Sequence, residues 1–206
     1  YYADKLVSVN IPTGLTYVPE AAFNNCKKLE TVVLHDGVTE IRKNAFLTCA
    51  ALNSLTADSA DPGVVTIPAS VTAIGAQAFR GCNSLTHVTI ANDDAVIGDQ
   101  YSGAFAYCKG LVSIKLPANM TGTLSNSAFE QCSALESIVI PDGITTIGNK
   151  AFEQCSNLKT VTLPKSLTQI NANAFNNCYS LTGVIFTGET NPTVYNNAFT
   201  IYNNST

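Results

Sequence analysis

A 23-residue repeat runs through the chain from end to end and constrains the fold more than any other feature. The copy that begins at Ala151 follows the pattern A-F-x-x-C-x-x-L-x-x-V-x-L-P-x-x-L-T-x-I-x-x-x. A period of 20–50 residues is typical of solenoids, in which each repeat forms one coil and stacks on its neighbours. Copies begin at residues 22, 45, 78, 104, 128, 151 and 174, between a partial repeat over 1–21 and a segment, 198–206, that starts an eighth repeat or a cap. We therefore predict one elongated domain over residues 1–206.

Two template positions hold the same side chain in every copy. One column consists of Phe23, Phe46, Phe79, Phe105, Phe129, Phe152 and Phe175, and the other of Cys26, Cys49, Cys82, Cys108, Cys132, Cys155 and Cys178. In each copy the spacing lets the Ala, Phe and Cys meet on one side of a single helical turn. We therefore expect both columns to be structural and to lie inside the solenoid.

The cysteine column favours buried, reduced thiols over disulfides or zinc. Equivalent residues of stacked coils lie about 4.8 Å apart with parallel side chains, whereas a disulfide needs Cβ atoms about 3.5–4.5 Å apart and turned toward each other. Seven is an odd number, so at least one thiol is free even if the others pair. A column also cannot supply the tetrahedral ligands that zinc requires. The redox compartment stays open.

The segment L-x-x-V-x-L-P of each repeat predicts a short strand, because apolar residues alternate along it and proline ends it. A second short extended piece follows, as at residues 144–147. The strand side chains that face away from the core form a row of mostly small, uncharged residues. The candidate binding residues in this row are Thr31, Val33, Thr66, His87, Thr89, Ser113, Lys115, Ser137, Val139, Thr160 and Thr162. The row is either a binding strip or the solvated face of a sheet built from good strand formers.

The copy that begins at Ala128 reads A-F-x-x-C-x-x-L-x-x-I-x-I-P-x-x-I-T-x-I-G and resembles the leucine-rich repeats of the BspA type. The resemblance covers nearly the whole chain. It implies an α/β-type leucine-rich repeat solenoid that is right-handed and curved. A parallel sheet would form the concave side, and short strands with single helical or 3-10 turns would form the convex side. The family is best known from surface proteins of host-associated bacteria, so the resemblance also implies an extracellular or cell-surface location and a role in adhesion.

Composition and motifs argue against several functional classes. The formal net charge is −4, without a basic cluster, which disfavours nucleic acid or an anionic membrane surface as a partner. No apolar run approaches the roughly 18 residues of a membrane-spanning helix, so we expect no membrane insertion. The sequence has no G-x-S-x-G, P-loop or H-E-x-x-H motif, each of which would indicate a catalytic site. We therefore expect neither enzymatic activity nor a cofactor.

Two groups of residues raise the question of a metal site. His35 and His87 are separated by one intervening coil, roughly 10 Å at minimum, so we interpret both as surface imidazoles. Five acidic residues lie in or beside insertions: Asp58, Asp61, Asp93, Asp94 and Asp99. They could surround a calcium ion, which takes six to eight oxygen ligands. No calcium-loop motif is present, so we favour solvated loop charge and predict no metal.

Insertions interrupt the repeat in two places, about Asn53 to Gly63 and Asp99 to Gly103. Insertions in solenoids map to loops, often on the binding side, which makes Asp58 and Asp61 candidate loop-binding residues.

The sequence lacks a start Met, so we expect a piece of a longer protein. We predict a monomeric, non-catalytic binding module that recognises a host or matrix protein, another cell or a glycan through the concave sheet and the insert loop. The alternative is a structural spacer that projects another domain.

Overall fold

The computed structural model describes residues 3, 5–57, 61–189 and 191–200, which form a parallel β-solenoid of about eight turns. Each coil is named by its first residue, so coil 104 holds residues 104–127. A coil contributes one strand to each of two sheets. The primary sheet contains β1 (Ser8–Asn10), β3 (Thr31–Val33), β5 (Val64–Ile67), β7 (His87–Ile90), β9 (Ser113–Lys115), β11 (Ser137–Val139), β13 (Thr160–Leu163) and β15 (Gly183–Phe186).

The second sheet lies further along each coil, after the proline turn. It contains β2 (Tyr17–Val18), β4 (Glu40–Ile41), β6 (Ala73–Ile74), β8 (Val96–Ile97), β10 (Thr121–Leu124), β12 (Gly143–Ile147), β14 (Gln169–Ile170) and β16 (Thr193–Val194). Every strand pairing is parallel, and equivalent template positions face each other, as in Ser137 opposite Thr160 and Thr160 opposite Gly183. The repeat therefore fixes the register of the stack.

The phenylalanine column forms a continuous stack of rings inside the solenoid. Neighbouring ring centroids lie 5.0–6.2 Å apart, and no pair of ring planes differs by more than 30°. Rings in the middle of the stack are fully buried, and Phe152 has no solvent exposure, whereas Phe199 at one end is 39% exposed. Offset stacking of this kind adds to the stabilisation that burial of each ring provides.

The segment that carries the Ala, Phe and Cys is a turn, so the helical part of the α/β prediction is not confirmed. No helix occurs among the residues that the structure describes. In each coil the residue before Cys has a positive φ. The residue before the Ala of each described Ala-Phe pair also has a positive φ, with the exception of the residue before Ala104. Gln131 (58°) and Lys150 (59°) are examples. A left-handed residue ends a right-handed helix, so the two positions confine the segment between them to a tight turn.

Hydrogen bonds link these turns from coil to coil, and we call this side of the solenoid the turn face. The amides of Ser127, Phe129 and Gln131 each donate to a carbonyl about one repeat further along the chain, at 2.7–2.9 Å. The cysteine column contributes a second set of bonds. The thiol of Cys155 donates to the carbonyl of Phe129 at 3.1 Å, and the five other thiols from Cys49 to Cys178 make the same bond at 2.9–3.2 Å. All seven cysteines are buried.

The insertion in coil 45 is not purely a loop. Ser54, near its start, pairs with Thr31 as a parallel bridge, and Leu55 is buried in the core. The chain then returns at Gly63, whose amide donates to the Asn53 carbonyl at 2.8 Å, and continues into β5. The insertion therefore adds a short extra rung to the primary sheet, while β4 and β6 of the second sheet still pair directly.

Both sheets are also interrupted around coil 104. In the second sheet β2-β4-β6-β8 and β10-β12-β14-β16 form separate ladders, so the interruption falls before coil 104. In the primary sheet β5-β7-β9 and β11-β13-β15 are separate, so the interruption falls after it. Coil 104 is therefore paired to the preceding coils through β9 and to the following coils through β10.

Candidate binding surfaces

The predicted row of outward residues lies on the primary sheet. All eleven of its members are exposed or half-exposed, and they alternate with buried core residues along each strand. Pairing brings them into rows across the sheet, with Thr66 opposite Thr89 and Thr89 opposite Lys115. Val139 and Thr162 form a second such row in the C-terminal half. The structure thus brings together on one face the residues that the repeat pattern singled out.

A groove of about 690 Å³ lies on this face where the primary sheet is interrupted. Strands β7, β9 and β11 line it, together with the turns that follow β9 and β11. We call it the primary groove. Its wall includes Val139, whose side chain is 68% exposed, and its floor includes the buried Ile114 and Ile138. The groove therefore offers an apolar centre within a polar surround, which is typical of ligand sites.

Charged residues lie at the rim of the primary groove. Lys115 on one wall is 3.7 Å from Asp93, and Asp142 on the other wall is 3.9 Å from Lys165. Both pairs are well exposed, so each contributes little to stability. Such rim charges tune the rate and specificity of association more than the affinity. Asp142 was missed in the sequence because it lies in the turn after the strand rather than in the strand.

The two histidines have different environments. His35 Nε2 lies 3.1 Å from the carbonyl oxygens of Pro12 and Leu15, and its Nδ1 accepts the amide of Gly37 at 3.0 Å. This arrangement assigns the proton to Nε2, so His35 joins its own turn to the preceding coil. His87 is exposed at the edge of the primary groove, with Nδ1 3.1 Å from the Thr86 hydroxyl. His35 is thus a structural residue, whereas His87 stays a candidate binding residue.

The acidic residues of the insertions organise loops. Asp99 Oδ1 accepts the amides of Tyr101 and Ser102 at 2.8 and 2.7 Å, and Asp94 Oδ1 accepts the side-chain amide of Asn119 at 2.8 Å. Asp58 lies outside the described residues, and Asp61 is exposed beside β5. Within the described part of the chain, no three His, Cys, Asp or Glu residues form a group that could hold a metal ion.

A second groove, of about 500 Å³, lies where the second sheet is interrupted, between β8 and β10. Its lining includes Val96, which is 65% exposed, and the acidic residues Asp94 and Asp99. We call it the second groove. Asp99 accepts hydrogen bonds from its own loop and Asp94 accepts one from Asn119 of the next coil, so both carboxylates already have partners within the protein.

The repeat and the fold agree with a known family. A family model described as the BspA type leucine-rich repeat region matches residues 1–100 and 72–206, with six copies. The chain belongs to the BspA-type leucine-rich repeat family. Among curated proteins, none matches the chain.

Solved structures of bacterial leucine-rich repeat proteins share the fold. A leucine-rich cell-surface protein of Faecalibacterium prausnitzii is 31% identical with a TM-score of 0.60, over 90% of this chain and 61% of that chain. A leucine-rich repeat protein of Bacteroides ovatus is 27% identical with a TM-score of 0.53, over 91% and 58%. A leucine-rich repeat protein of T. pallidum is 27% identical with a TM-score of 0.67, over 86% and 78%.

This BspA-type chain spans about six-tenths of the length of the first two of these proteins. Nothing in the family match or in the neighbours points to an enzymatic activity. Among the described residues, no helix is long and apolar enough to cross a membrane.

Proposed function

We propose that the chain is an extracellular or cell-surface module that binds a protein or a glycan on its primary sheet, the side predicted to be concave. The observation that carries the proposal is the primary groove, which is lined by six of the eleven candidate residues that the repeat pattern turns away from the core. The surface location is supported by the BspA-type family and by the neighbour that is a cell-surface protein.

The chemistry of the groove supports an uncharged or mixed ligand surface. Thr89, Ser113 and Ser137 supply hydroxyl groups that can both donate and accept hydrogen bonds. Val139 supplies an exposed apolar contact at the centre of the wall. Neither sign of charge predominates, since Lys115 and Asp142 lie on opposite walls. A protein loop or a sugar, each with hydroxyl or amide groups beside apolar faces, fits this arrangement better than a polyanion does.

Binding of the purified chain to an array of extracellular-matrix proteins and of host and bacterial glycans tests the proposal. The informative variant is Val139→Glu, which places a charge at the centre of the primary groove. Its matched control is Val96→Glu, because Val96 has nearly the same exposure, 65% against 68%, but lies in the second sheet. We expect a bound partner to lose about tenfold or more in affinity with Val139→Glu and to keep its affinity with Val96→Glu.

Two results would contradict the proposal. A partner that binds both variants equally would place the site on the insert loop or on another face. An array without any binding would favour the alternative function, a spacer that projects another domain of a longer surface protein.

A further inference from the structure

Coil 104 connects the two halves of the solenoid in an unusual way. Among the described residues, the backbone amide of Leu116 in coil 104 does not donate to β11. The amide at the equivalent position of the next coil, Ile140, donates to the Thr162 carbonyl at 3.0 Å. On the other sheet, Ser125 N–H does not donate to β8, whereas the equivalent amide of Gly148 donates to Leu124 at 2.9 Å. Each sheet thus lacks its ladder on one side of the same coil.

The sequence accounts for the interruption before coil 104. Coil 78 carries three residues beyond the 23-residue template, in the loop that starts at Asp99. This loop lies directly after β8, where the next coil would pair, and the amide of Asn126 reaches only the Gln100 carbonyl at 3.5 Å. Coil 104 itself is one residue longer than the template, and its register with β12 shifts between Gly122 and Thr123. Coil 104 therefore cannot form regular strand pairs with both neighbouring coils on both sheets.

The turn face, in contrast, stays linked through coil 104, although among the described residues the Phe105 amide does not donate to Ala128 as its equivalents in the other coils do. Phe79 and Gly81 donate to the carbonyls of Ala104 and Ala106 at 2.9 Å, and Tyr107 donates to Glu130 at 2.6 Å. The thiols of Cys108 and Cys132 maintain their bonds to the preceding coil. The turn face therefore keeps several coil-to-coil bonds on both sides of coil 104, whereas the described residues of the primary sheet after coil 104 keep one backbone bond, from the Glu136 amide to the Val112 carbonyl at 3.1 Å.

Packing is loosest at the same coil. The Phe105–Phe129 centroid distance, 6.2 Å, is the longest in the stack, whose other steps measure 5.0–5.6 Å. A small cavity lies beside these two rings, lined also by Leu116, Met120 and Leu124. The primary and second grooves flank the coil on the two sheets. After coil 104 the neighbouring primary strands β9 and β11 form no ladder, so bending there separates unpaired strands, beside the longest step of the ring stack.

We propose that coil 104 is a hinge between two rigid stacks, the N-terminal stack up to residue 103 and the C-terminal stack from residue 128. The turn face and the paired strands β10 and β12 hold the coils together on the other sides, and rotation about them widens or narrows the primary groove by moving β11 relative to β9. Hinges of this kind absorb domain motion in a few residues while the elements on either side stay rigid. The hinge goes beyond the proposed function, because it is a property of the fold whether or not the groove binds a ligand.

Distance distributions between pairs of spin labels on the full chain test the hinge. Labels at Val64→Cys and Thr160→Cys report across coil 104, and labels at Ser8→Cys and His87→Cys report within the N-terminal stack. All four positions are exposed and occupy the same template position on the primary sheet, and both separations are roughly 15–20 Å from the coil spacing. The native thiols are buried, so labelling under native conditions is confined to the introduced cysteines.

We expect the distribution across coil 104 to be about twice as wide as the one within the stack, as domain rotation requires. Deletion of residues 100–102 restores a 23-residue coil and should narrow the wide distribution toward the control. Equal widths for the two pairs in the natural chain would overturn the hinge. A wide distribution that the deletion leaves unchanged would also overturn it, because the motion would then have another origin.

Discussion

At the residue scale, the phenylalanine stack concentrates stability in single side chains. Phe152 is fully buried and stacks on neighbours at 5.4 and 5.0 Å, whereas Phe199 is 39% exposed at the end of the stack. We expect Phe152→Ala to lower the free energy of unfolding by about 3–5 kcal/mol, as core Phe truncations do. Phe199→Ala is the control and should cost clearly less, because much of its ring already contacts water. Urea unfolding of the two variants checks this, and equal losses would contradict the burial gradient.

The cysteine column makes the fold sensitive to alkaline pH. Burial raises the pKa of three thiols, those of Cys49, Cys108 and Cys178, from 9.0 to about 12. It also raises the pKa of three others, those of Cys82, Cys132 and Cys155, well above 9.0. Below pH 9 each thiol is protonated in both the folded and the unfolded chain. Above pH 9 the unfolded chain releases protons that the folded chain keeps, so the free energy of unfolding falls by about 1.4 kcal/mol per pH unit for each thiol.

We therefore expect a steep loss of stability as pH rises from 9 toward 12, measured by urea unfolding at a series of pH values. Cys108→Ala removes one titrating group and should reduce the slope by about one thiol's share, 1.4 kcal/mol per pH unit. The variant also loses the bond from the thiol to the Phe79 carbonyl, so its stability near neutral pH should be lower. A slope that is the same in both chains would show that the thiols are not the titrating groups.

At the element scale, the ladders and their interruptions should be visible in amide hydrogen exchange. Ile140 N–H and Gly148 N–H donate to neighbouring coils, whereas the equivalent amides of Leu116 and Ser125 do not. Because an amide without a partner exchanges without an opening step, we expect the latter two to exchange at least about 100-fold faster than their equivalents. Residue-resolved exchange by NMR checks this. Equal protection within each pair would mean that both ladders are closed in solution.

The same elements show what the sequence could and could not predict. The L-x-x-V-x-L-P segment determined the strands and their outward residues, because side-chain alternation along a strand is a local property. The Ala, Phe and Cys spacing suggested a helical turn, yet residues such as Gln131 have positive φ. A spacing of three and four residues is shared by one helical turn and by two linked tight turns. Only the backbone angles distinguish these, and non-glycine residues in both positions conceal them.

At the scale of the whole molecule, the repeat predicted the solenoid and the row that lines the primary groove, but not the groove itself. The groove lies where β9 and β11 form no ladder, beside a coil that is one residue longer than the template and follows a coil that is three residues longer. Insertion lengths can be read from the sequence. Which sheet is interrupted on each side of coil 104 depends on how that coil pairs with both of its neighbours. That pairing is determined by the packing of several coils together and not by one repeat.

The interruptions also predict that the two stacks lose stability separately. In a solenoid, stability is a sum of coil and interface contributions, and the interfaces around coil 104 lack part of their hydrogen bonding. We expect Phe46→Ala to reduce amide protection mainly in the N-terminal stack, for example at Gly75 N–H, which donates to Ile41 at 2.7 Å. Phe152→Ala should reduce it mainly in the C-terminal stack, for example at Ile140 N–H.

Native-state hydrogen exchange at low urea concentrations measures both effects in the same chain, and each variant is the control for the other. Both substitutions remove a buried ring from the same column, so each should cost about 3–5 kcal/mol in its own stack. If either variant lowered protection equally at Gly75 and Ile140, the solenoid would unfold as one cooperative unit. The interfaces of coil 104 would then be as strong as the others, in spite of their open ladders.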